Sequence, residues 1–111
     1  MSADGTEPDG GPDETVVDDA RQALDEARHR LAEVPASAVV ANHVMGLYEL
    51  AAIHLSADPP RFAEAALAID AVACLVEGLG ERLGPDATTL AEALSNIRLA
   101  FVQIKGTHVA S

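Results

Sequence analysis

Aromatic residues are scarce in this chain: Tyr48, Phe62 and Phe101 are the only three, and tryptophan is absent. A core must therefore be built from Leu, Ile, Val and the many Ala. Alanine lets helices approach closely but buries little area per residue, and burial stabilises by roughly 25 cal/mol per Å². In a chain of 111 residues such a core implies a single small domain of marginal stability, a first pointer to self-association. There is one cysteine, Cys74, so no internal disulfide can form. That suits a reducing compartment, and a cytoplasmic location is expected.

Positive charge is also sparse. Six arginines and one lysine face eighteen acids, giving a net charge of −11 and a pI near 4.5. This excludes the basic footprint of a nucleic-acid binder and disfavours anionic membrane surfaces. Residues 1–19 hold seven of the acids and no base, so the remaining chain carries −4. Residues 1–14, MSADGTEPDGGPDE, offer nothing to bury and are expected to be a disordered, solvating acidic tail. They lack the apolar run of a signal peptide. No window reads as a membrane span; Asp70 and Glu77 interrupt the most apolar one.

No strand alternation is present, and the apolar residues recur at helical spacing. The expected fold is all-α: an up-down-up bundle of three helices over 35–106, preceded by a more polar amphipathic helix over 15–34, with 107–111 frayed. In the first helix Val17, Ala20, Leu24, Ala27, Leu31 and Val34 make a thin stripe. Arg21–Asp25 and Glu26–Arg30 stand at i,i+4 on its polar side. Pro35 separates it from the second helix, Ala36 to Leu55. There Val40, Val44, Leu47 and Ala51 form one stripe, and Val39, His43, Gly46, Leu50 and Ile53 form another beside it. The face is wide enough for two neighbours. Asp58 with Pro59 and Pro60 reads as the start of the third helix, running to about Leu83 on Phe62, Ala66, Ile69, Ala73, Val76, Gly80 and Leu83. Gly84-Pro85 is the next boundary. A fourth helix to about Lys105 follows, with the seam Leu90, Leu94, Ile97, Phe101 and Ile104, ended by Gly106.

The phrases NHVMGLYELAAIHL, AALAIDAVACLVEGLGERLG and NIRLAFVQIKG resemble a small uncharacterised family of helical proteins from actinobacteria, over about Pro35 to Gly106. The preference for Arg over Lys suits such a GC-rich source. The resemblance implies a compact helical fold in the cytoplasm and carries no catalytic residue.

Candidate chemistry is thin. His43 and His54 lie three turns apart on one face, about 16 Å along the axis at 1.5 Å per residue, too far to share one metal ion. Each imidazole is expected to pack against Leu47 or Leu50 and hydrogen-bond across the bundle. An inter-subunit metal site, or an apolar pocket for a small molecule ringed by His43, Tyr48 and His54, is the alternative. No HExxH motif, phosphate-binding glycine loop or nucleophile elbow occurs. Tyr48 reads as an amphipathic interface residue, and Glu49 points elsewhere. The flanking carboxylates of Asp70 and Glu77 disfavour a Cys74 thiolate, so Cys74 is expected to fill core space. Arg98 borders the last seam and is expected to pair with Asp70. Gly46 costs about 1 kcal/mol inside a helix, and close packing either within the protomer or between copies would account for it.

These features together predict no enzyme and no cofactor. They predict an interaction or assembly module, associating with itself or another protein through Val39, His43, Gly46, Leu50, Ile53 and Tyr48.

Overall fold

The structure, a computed structural model, describes residues 14–110. The acidic tail expected over 1–14 lies outside the described residues except for Glu14, which opens the first helix. The chain divides between Val34 and Pro35 into two units. The first contains α1, Glu14–Glu33. The second contains α2 (Ala36–Leu55), α3 (Phe62–Leu79), a short 3-10 segment (Gly80–Asp86) and α4 (Ala87–Ala110). Among the described residues there is no strand, and the fold is all-α.

No residue of α1 is buried. Val17, Leu24, Leu31 and Val34 are all exposed, as is Val16. The polar side holds an ion pair, Arg28 donating to Asp25 at 3.3 Å, where i,i+4 pairing to Arg21 was expected. Asp25 can satisfy one arginine at i+3 as easily as another at i−4.

The three helices of the second unit each pack against the other two, and the 3-10 segment packs against all three. Its core is formed by Ala41, Val44, Ala51 and Leu55 from α2, six residues of α3, Leu83, and Leu90, Leu94 and Ile97 from α4. Ala65, Ala68 and Val72 join Ile69, Ala73 and Val76 as the buried face of α3. That face is wider than the single stripe the spacing suggested, because small alanines let a neighbouring backbone come close on both flanks. Among the described residues no polar or charged side chain is buried.

The loop after α2 is longer than expected. Asp58 does not cap a helix: α3 starts at Phe62 behind Arg61, with no side-chain cap. The backbone N–H of Arg61 instead donates to the His54 carbonyl at 2.9 Å, closing residues 55–60 into a tight return. α3 in turn stops at Leu79, where Gly80 takes φ 53°. Gly84 adopts φ 81°, ψ −150° and sits against the first turn of α2: a Cβ placed there would lie 3.0 Å from Ser37 Oγ. Only glycine takes that backbone cheaply. At the other end α4 runs past Gly106 to Ala110. Thr107 Oγ1 donates to the Gln103 carbonyl at 3.0 Å, and the His108 ring contacts the Ile104 carbonyl at 3.1 Å. A single glycine costs a helix only about 1 kcal/mol, too little to end it here.

Candidate interaction surface

The two stripes of α2 have different fates. Val44 and Ala51 are sealed in the core, with Val40, Leu47 and Tyr48 packed partly against it. The neighbouring stripe stays outside. His43, Gly46, Leu50 and Ile53 are exposed, Ile53 at 64% and Leu50 at 43%, and Val39 is half-buried. Met45 beside them is also exposed. Tyr48, expected on this face, is not on it: two residues from both Gly46 and Leu50, it lies about 200° around the helix from each and packs partly against the core.

Gly46 stands at the centre of the exposed stripe. A Cβ built there would meet nothing within 4 Å. Packing within the protomer therefore does not account for the glycine. It costs about 1 kcal/mol of helix stability relative to alanine, and among the described residues no contact needs it.

His43 is exposed and His54 half-buried, and the cross-bundle hydrogen bond expected of each ring is not among the side-chain hydrogen bonds of the described residues. Among the described residues no group of three or more His, Cys, Asp and Glu could hold a metal ion. Cys74 does not fill the core: it is exposed. Asp70, Cys74 and Glu77 all lie on the outer face of α3, because the core side is already occupied by Val72, Ala73 and Val76.

Arg98 pairs with a carboxylate of α3 as expected, but the carboxylate is Glu77, at 3.1 Å, not Asp70. Both partners are about half exposed, and such a pair contributes at most about 1 kcal/mol. Asp70 and Arg98 instead stand on the rim of a shallow open groove between α3 and α4, about 320 Å³ in volume and lined by Ala66, Ile69, Phe101 and Val102. Next to it Phe62 makes edge-to-face contacts with Phe101 and with His108, each at 5.7 Å between ring centroids. Leu67, Leu99 and Val102 are exposed at 57–70%. The helical spacing did not single out these three, since each lies just off a seam.

One expectation about membranes is overturned. α2, with 20 residues and a mean hydropathy of 1.3, is long and apolar enough to cross a membrane by length and composition. Glu49 is the one Asp, Glu, Lys or Arg in it; Asp70 and Glu77, which break the apolar run elsewhere, lie on α3. Mostly buried core helices of bundles meet the same criterion; the inner face of α2 is part of the core, but only 17% of its apolar window is buried.

No protein-family profile, curated protein or solved structure matches the chain.

Proposed function

We propose that this protein is a non-enzymatic assembly module that pairs with a second copy of itself through the outer stripe of α2. The observation that supports this reading is Gly46, a glycine with open space above it at the centre of an exposed apolar stripe. Val39, His43, Gly46, Leu50 and Ile53 follow one another at steps of four and three. That is the spacing of a seam between two helices, each side chain entering a gap on the facing helix. Antiparallel pairing places Leu50 of each copy over Gly46 of the other, His43 beside Ile53 and Val39 beside Ala57. The bundle behind this face, an up-down-up arrangement in this reading, serves as a rigid platform, and the acidic surface keeps the assembled protein soluble in the cytoplasm.

The magnitudes describe a weak dimer. Burying a fully exposed Leu or Ile yields about 1.5–3 kcal/mol. Scaled by the exposure of Leu50 and Ile53 (43% and 64%), two copies gain roughly 3–6 kcal/mol from these residues. Association costs about 4–15 kcal/mol in lost freedom, so these two residues alone do not hold a dimer, and the rest of the exposed face, Met45 included, must supply the remainder. A concentration-dependent dimer in sedimentation equilibrium of the full chain over about 10–500 µM is the outcome that supports the reading. Ile53→Asp should leave far-UV helicity unchanged and shift the chain toward monomer. Equal association by the wild type and Ile53→Asp would remove the stripe from the reading. Binding to neutral vesicles in place of self-association would assign α2 to a lipid surface instead.

A further inference from the structure

A second, separate surface is carried by α1. Within it Val17, Ala20, Leu24, Ala27 and Leu31 recur at alternating steps of three and four, and Val34, just past the helix end, continues the series. This is a period of 3.5, the spacing of a coiled-coil seam. The helix buries nothing, and Val17, Leu24, Leu31 and Val34 stand in solvent. An isolated helix of 20 residues is marginal in water without a partner for its apolar face. The order of side chains says what that partner is. Large residues (Val17, Leu24, Leu31) occupy one set of seam positions; two of the three residues in the other set, Ala20 and Ala27, are small.

We infer that α1 pairs with α1 of a second copy as an antiparallel two-stranded coiled coil. Reversing one helix in this register sets Ala20 against Leu31 and Leu24 against Ala27, and brings Val17 against Val34 just past the end of the partner helix. Each layer then repeats by symmetry, and every leucine meets an alanine. A parallel pair in register sets Ala20 on Ala20 and Ala27 on Ala27. The leucine layers would hold the helices apart and leave gaps at the alanines, which close packing penalises. The antiparallel pair does bring Arg21 of one copy near Arg28 of the other. Arg28 is already bonded to Asp25 of its own helix at 3.3 Å, and both groups are exposed, so solvent and that carboxylate screen the repulsion. Packing decides the direction.

Disulfide trapping in the full chain tests this directly. The background is Cys74→Ser, which removes the one native thiol, with Ile53→Asp to disable pairing through α2. Ala20→Cys and Leu31→Cys are made separately in that background. Under a glutathione redox buffer, the mixture of the two variants should give a cross-linked dimer on a non-reducing gel. Each variant alone should stay monomeric, since like positions lie about 16 Å apart along the pair and a disulfide needs Cα atoms within about 7 Å. Leu24→Asp in both partners should abolish the cross-link. A dimer from Ala20→Cys alone would overturn the antiparallel arrangement, as would equal yields in all three samples. A mixture that stays monomeric would overturn α1 pairing altogether. Leu24→Asp with α2 intact is the companion sample: its association measures the α2 surface alone, so failure of either surface is seen apart from failure of the other.

Discussion

Gly46 offers a test in which stability and association move in opposite directions. The residue lies inside α2 with nothing within 4 Å of the space its side chain would fill. In the protomer Gly46→Ala therefore removes backbone entropy from the unfolded chain and adds no clash. The gain is about 1 kcal/mol. For a domain of this size that raises the melting temperature by about 4–8 °C. Gly46→Leu recovers most of the same helix propensity but fills the gap that Leu50 of the second copy enters. Overpacking costs typically about 1–3 kcal/mol per contact, and the contact occurs twice by symmetry, so the dimer should weaken tenfold or more. The assays are thermal melts by circular dichroism at low protein concentration, where the protomer dominates, and sedimentation equilibrium at high concentration. The reasoning is refuted if Gly46→Ala lowers the melting temperature, because an intramolecular neighbour would then need the glycine. It is equally refuted if Gly46→Leu associates as well as the wild type.

Other substitutions probe the platform. Leu83 is 1% exposed at the junction of the helices, so Leu83→Ala should cost about 2–5 kcal/mol, seen as a lower denaturant midpoint at unchanged slope. Gly84→Ala should cost about 1–3 kcal/mol because φ is 81° there. Combining it with Ser37→Gly, which clears the 3.0 Å contact, should recover only the smaller share due to crowding; full recovery would show that the backbone is not strained. Glu77→Gln should change stability by at most about 1 kcal/mol, since its pair with Arg98 is solvent-screened at 3.1 Å. A larger loss in urea melts would mean that the pair anchors α3 on α4.

The helices themselves were legible from local chemistry. Pro35 and the break after Leu55 bound α2 where it is found, and the seam Leu90, Leu94, Ile97 on α4 is buried as its spacing implies. Local signals failed where two of them compete. Gly80 and Gly84 both stop helices, and the chain uses both, with a 3-10 segment between them. Asp58 and Pro59 form a plausible helix start, yet the backbone of Arg61 returns to His54 first. Cys74 is small enough to be core or surface, and only the rotation of α3 placed it outside.

Sequence by itself determined that this chain is helical, that aliphatic and alanine side chains hold it together, and where most helices begin. Those are consequences of residue spacing, proline and glycine, which act within a turn or two. Which face of α2 is hidden is a different matter, because both of its stripes are apolar and either could have turned inward. Tertiary structure decided it: α3 and α4 offer one aliphatic surface, Val44 and Ala51 fit it, and Leu50, Ile53 and Gly46 were left in the water. A pattern along one helix cannot rank two equivalent faces, since the difference between them lies in the shape of what they pack against.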